Sequence, residues 1–125
     1  MKSLFALFCT LMSLTAIAQE EVDCEKFRTG KFKYEDPNFG LIIVKRDKDS
    51  QVEINADKVE IHSSVKWLSD CKFVLTHTKV ENAEIPELIG EKVYVEIISN
   101  KGNRYICRAT TQNGYGGEIE VLKID

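Results

Sequence analysis

Two histidines, His62 and His77, and the cysteines Cys24, Cys71 and Cys107 are the side chains best suited to ligate a metal or attack a substrate. Their spacing argues against both. No C-x-x-C occurs, and the histidines do not stand at ligand spacing from a cysteine, so the pattern of a zinc site is absent. Ser63, Ser64 and Ser69 neighbour His62, but no Gly-x-Ser-x-Gly elbow accompanies them. Cys107 alternates with Tyr105 and Ala109, which suits a small apolar filler better than a nucleophile served by His77. Glu118 and Glu120 alternate with Ile119 and Val121, the pattern of a solvated strand face and not of an acid–base pair. No enzyme activity, cofactor or metal is expected.

The elements that carry these residues are strands. From residue 27 onward the chain alternates with period two between turn residues, as half-buried antiparallel strands do. Val59, Ile61, Ser63, Val65 and Trp67 share one face, and Lys58, Glu60, His62, Ser64 and Lys66 the other. Seven further strands are expected over 28–34, 39–46, 51–55, 71–80, 92–99, 103–110 and 117–124. In these, Phe32 and Tyr34, Val52 and Ile54, Phe73 and Leu75, and Tyr105 and Cys107 are the inward residues; the inward face of 39–46 is ambiguous. Asp36-Pro37-Asn38, 47–50, 100–102 and 113–117 supply turn residues. One longer connection, 81–91, has room for a helical turn at Glu87-Leu88-Ile89.

Eight strands joined mostly by short links predict an all-β fold: an antiparallel up-and-down meander closed, or nearly closed, into a small barrel. A two-sheet sandwich is the alternative. Its immunoglobulin version is disfavoured, because Trp67 lies far from Cys24 and only four residues before Cys71.

The fourth and fifth strands test the histidines directly. A two-residue loop would set His62 opposite His77 but would mix buried with charged residues on each face. A three-residue loop, Leu68-Ser69-Asp70, pairs Trp67 with Cys71, Val65 with Phe73 and Ile61 with His77. The hydrophobic pattern selects the second register, so a paired-histidine site is rejected. His77 then faces inward near the barrel mouth, as a ligand-orienting group or, in the favoured reading, a wet rim residue.

In such a meander Cys24 precedes the first strand and Cys71 opens the fifth, which puts both at one end. Cys24–Cys71 is the expected bridge, set against two other pairings and none, with Trp67 packed on it and Cys107 a buried free thiol.

The N-terminus reads as a secretion signal. Lys2 precedes the apolar run 4–14, and Ala16-Ile17-Ala18 is a small-x-small cleavage site. That run is well short of the ~20 residues that cross a bilayer. The expected organisation is a cleavable signal at 1–18, an N-terminal segment at 19–27 and a single β domain at 28–125, exported to the periplasm or the medium. The mature part has no apolar run long enough for a transmembrane helix. Residues 19–125 carry 16 basic and 20 acidic side chains, a net charge of −4, with no basic tract. A nucleic-acid partner is therefore excluded.

Thr29-Gly30-Lys31-Phe32, a Gly-x-aromatic motif opening eight β segments in an exported chain, resembles the start of small lipocalin-like (calycin-type) barrels, with Phe32 where Trp is usual. Trp67-Leu68-Ser69-Asp70-Cys71-Lys72-Phe73 is similar to small exported bacterial proteins of uncharacterised role, some of which carry the label DNA topoisomerase IV. An acidic domain of this size cannot house an ATP site and a DNA gate. The resemblance implies a barrel that binds without catalysis. Phe32, Tyr34, Trp67, Phe73, Leu75, His77 and Tyr105 would line an interior that takes a small apolar or amphipathic ligand. The alternative is a cell-envelope protein–protein interaction module with a filled core, meeting its partner through 81–91 or 113–117. An eight-stranded barrel is just wide enough for either outcome.

Overall fold

Period-two alternation does in this chain what it does in any half-buried sheet: it sends one set of side chains inward along every strand. A computed structural model describes residues 22–125, so the signal expected at 1–18 lies outside the described residues. The strands are β1 (Gly30–Asp36), β2 (Gly40–Arg46), β3 (Ser50–Ile54), β4 (Glu60–Ser69), β5 (Lys72–Glu81), β6 (Lys92–Lys101), β7 (Arg104–Thr111) and β8 (Gly116–Lys123). Each pairs antiparallel with the next, and β8 returns to β1, closing the barrel. The meander expected from the alternation is the observed fold. Among the described residues no helix is long and apolar enough to cross a membrane.

Links between strands fall at two ends. The turns β2–β3, β4–β5 and β6–β7 form the base, together with the segment before β1; the other four links form the mouth. At the base a short 3₁₀ turn, Glu25–Phe27, tucks Phe27 fully out of water beneath the barrel. Cys24, just before it, is disulfide-bonded to Cys71 in the β4–β5 turn, with a Cα separation of 5.4 Å. This is the pair that the strand polarity points to, and Cys107 is left free and buried. At the mouth, the Asp36 carboxylate accepts the N–H groups of Asn38 (2.7 Å) and Phe39 (3.0 Å), which tightens the β1–β2 turn. The long link contains a 3₁₀ turn at Pro86–Leu88, one residue earlier than the pattern suggested.

Two expectations about register need correction. In the β4–β5 hairpin Trp67 pairs with Phe73, Val65 with Leu75 and Ser63 with His77, two positions away from the pairing expected. The slip of two preserves which faces point inward, so the hydrophobic pattern is equally satisfied and cannot choose between the registers. Beyond Ser63 a bulge shifts the pairing again, so that His62 meets Lys79 and Glu60 meets Glu81. In β3 the inward residues are Gln51 and Glu53, not Val52 and Ile54. β2–β3 pairing sets Arg46 opposite Gln51 and Val44 opposite Glu53, so the inward face of β2, Ile42-Val44-Arg46, dictates that of β3. A buried guanidinium requires acceptors beside it, and Gln51 supplies one.

The seam between β1 and β8 is short. It pairs Phe32 with Lys123 and Lys33 with Leu122, and Ile124 N–H donates to the Lys31 carbonyl at 2.8 Å. Continuing that register would set Glu35 opposite Glu120, and directly opposed like charges weaken a ladder. The upper halves of the two strands part there, and a surface cleft lies between Tyr34–Asp36 and Glu118–Glu120.

Candidate functional site

A polar ladder runs up the inner wall formed by β1, β2 and β3. At its foot Arg46, 5% exposed, lies between two aromatic rings, its guanidinium 4.7 Å from the centroids of both Phe32 and Phe73. Its three donor positions are each used. Nε donates to Gln51 Oε1 (2.8 Å), one terminal nitrogen to the Phe27 carbonyl (2.7 Å) and the other to Tyr105 Oη (3.1 Å). Gln51 Nε2 in turn donates to Glu53 Oε1 at 3.1 Å. Phe27 and Phe32 close on Tyr105 at centroid distances of 4.8 and 5.9 Å. The lower half of the barrel is thereby filled by its own side chains.

Above Arg46 a cavity of about 170 Å³ remains. Tyr34, Glu53, Gln51 and His77 give it polar corners, and Leu75, Val93, Val95, Ile119 and Val121 an aliphatic side. Burial is the largest influence on each titratable group here. It raises the Glu53 carboxyl above its ordinary range, against the pull of Arg46. It raises the Tyr34 and Tyr105 hydroxyls and pushes the Cys107 thiol up to about 11. It lowers the His77 imidazole, partly offset by Glu91, so that imidazole is neutral at pH 7. Raised tyrosine hydroxyls and a raised thiol keep these groups protonated at pH 7, so they offer the cavity hydrogen-bond donors.

Of the residues expected inside, Tyr34, Phe73, Leu75, His77 and Tyr105 line the cavity together. Phe32 lies below it, fully buried beneath Arg46. Trp67 is apart from it at the base, its ring tilted against Phe73 at a centroid distance of 4.6 Å and the Arg28 guanidinium 4.8 Å from its own centroid. His77 is not a wet rim residue: it is 8% exposed, and its Nδ1 shares a 2.8 Å hydrogen bond with Ser63 Oγ. Its backbone also receives the long mouth link, since His77 N–H donates to Glu91 O (3.0 Å) and Gly90 N–H to His77 O (2.8 Å).

Arg46, Gln51 and Glu53 were not anticipated. The signal was present in the alternation Ile42-Val44-Arg46, which carries a charged residue onto an apolar face, and in the turn that passes that parity to β3.

A closed, eight-stranded antiparallel barrel with a buried polar network defines the class, an architecture in keeping with lipocalin-like (calycin) folds. No protein-family model, no curated protein and no solved structure matches the chain.

Proposed function

We propose that this protein is a non-catalytic interaction module of the cell envelope, a barrel with a filled core that meets a protein partner through its mouth. The observation that carries this reading is the Arg46 plug. Its guanidinium fills the space between Phe32 and Phe73 and leaves about 170 Å³ above it, whereas pockets for drug-sized ligands typically enclose about 300–1,000 Å³. The two most exposed of the large apolar side chains stand at the mouth, with Leu68 at the base next (56% exposed). Phe39 is 62% exposed in the β1–β2 turn and Tyr115 76% in the β7–β8 turn, with Ile89 exposed in the long link. Val80, Ala83, Ile85, Pro86 and Ile89 form an apolar depression beside that link. Export rests on the Lys2 to Ala18 pattern, and the Cys24–Cys71 bridge agrees with an oxidising compartment. The likeness to small exported lipocalin-like proteins belongs to this same reading.

A second reading has an observation of its own. The cavity is two-sided, polar towards Glu53 and aliphatic towards Val95, and its volume is close to that of an engineered cavity, about 150 Å³, that binds benzene. It suits a single-ring amphipathic molecule and nothing as large as a fatty acid.

A photo-crosslinking amino acid at position 39 or 115, compared with one at the wall position Ile106, separates the readings when introduced in the producing cell. The module reading expects one discrete adduct from the mouth positions and none from the wall. Melting curves with fatty acids, hydrophobic dyes and single-ring phenols complete the test. Stabilisation by the phenols without mouth adducts would favour the cavity, and stabilisation by fatty acids would overturn the filled core.

A further inference from the structure

On the outer wall, at the mouth end of the β4–β5 hairpin, three ligand-type atoms converge. His62 Nε2 stands 3.5 Å from Glu60 Oε1 and 3.8 Å from Glu81 Oε2. The three residues offer atoms that all lie within 4.8 Å of one another. We propose that Glu60, His62 and Glu81 form a binding site for a divalent cation of the zinc class, independent of the interior cavity and of whatever the mouth binds.

The bulge creates this site. Had the pairing of Ser63 with His77 continued up the hairpin, His62 would face Thr78, and Glu60 would face Val80. The extra residue on β5 moves Lys79 opposite His62 and Glu81 opposite Glu60, while the Thr78 hydroxyl donates to the His62 carbonyl at 3.2 Å. Bulges re-aim side chains in this way. The result sets two carboxylates directly across from each other, an arrangement that costs stability unless a cation lies between them. Lys79 serves only one of the four oxygens, at 2.7 Å from Glu81 Oε1. The Glu81 oxygen on the other side is the one that turns to His62.

The imidazole supplies an independent reason. His62 Nε2 is shut off from water and has no hydrogen-bond partner, although two carboxylates flank it. A buried nitrogen with nothing to bond is uncommon and calls for a proton shared with the carboxylates or for a metal. The dimensions fit the second. Zinc bonds of about 2.0–2.2 Å to nitrogen and oxygen in a tetrahedron imply ligand–ligand edges of about 3.3–3.6 Å, and two of the three edges are within a few tenths of an ångström of that. Three protein ligands leave a position for water. An imidazole nitrogen with two oxygens suits zinc, nickel or copper, whereas calcium and magnesium prefer all-oxygen shells.

The test uses the disulfide-bonded protein, stripped with EDTA and titrated with zinc chloride by calorimetry, with the imidazole resonances followed by NMR. The chain has only two histidines, so the signals are readily assigned. One equivalent should bind and move the His62 resonances while leaving those of His77 in place. His62→Gln should abolish binding, and Glu60→Gln and Glu81→Gln should each weaken it by about tenfold or more. Lys79→Ala should tighten it by releasing the second Glu81 oxygen. Glu96→Gln, a surface carboxylate on β6, should change nothing. All five substitutions are at least partly exposed, and an unchanged melting temperature in EDTA shows that each variant folds. Absence of saturable binding, binding that survives His62→Gln, or zinc that leaves the His62 resonances unmoved would overturn the proposal.

Discussion

The two ends of this barrel are built from the same alternating strands, yet they behave as different materials. At the base, Cys24, Phe27, Phe32 and Tyr105 are all at most 2% exposed, Arg46 bonds three separate partners, and a disulfide ties the N-terminal segment to the β4–β5 turn. At the mouth, β1 and β8 part above Lys33, and large apolar side chains project from the turns. The comparison teaches that alternation alone makes a wall. What decides whether an end is structural or available is the object placed across it, here an arginine held between two phenylalanines.

Breaking the base should have the largest effect. Arg46→Ala strands Gln51, Tyr105 and the Phe27 carbonyl and opens a void, so a loss of about 3–5 kcal/mol is expected in urea unfolding. Removing the bridge with Cys24→Ser and Cys71→Ser should cost about 2–4 kcal/mol in the same measurement, since it releases a 47-residue loop in the unfolded chain. Both changes should leave mouth crosslinking intact in whatever fraction remains folded.

Between the ends, His77 gives a pH signature. Burial holds its folded-state pKa below the unfolded value, so on acidification the unfolded chain takes up the proton first. Stability contributed by the neutral imidazole is fully present above the unfolded value of about 6.5 and is lost as pH falls below it towards the folded one. Melting temperature should therefore decline over that range, and His77→Gln should flatten the decline. At the mouth, Phe39→Ser and Tyr115→Ser should each alter stability by no more than about 0.5 kcal/mol while weakening the adduct formed by the crosslinker at the other of the two positions.

The barrel itself was legible because eight runs of alternation with turn residues between them admit few other folds. The Cys24–Cys71 bridge followed from strand polarity, which needs no side-chain detail. Three features were not legible, for three reasons. The β4–β5 pairing differs from the expected one by two residues, and a shift of two leaves every side chain on its own face. Within the short third strand alone, Val52 and Ile54 have the apolar character of inward residues, whereas pairing with Arg46 on the neighbouring strand sets the opposite parity. The Glu60–His62–Glu81 cluster depends on a bulge, and a bulge is an interruption of the very pattern from which the strands are read.

Native-state hydrogen exchange, resolved by residue, tests the contrast between the ends most directly. Ladder alternation from the Lys31–Ile124 bond places the amides of Glu35, Glu118 and Glu120 at the open part of the seam, whereas Val44, Val95 and Tyr105 sit in the buried wall. The seam amides should exchange at least about a hundredfold faster than the buried ones, which should open only with global unfolding. Equal protection in the two sets would mean that the seam is zipped to the mouth and that the division into a locked base and an open end is wrong.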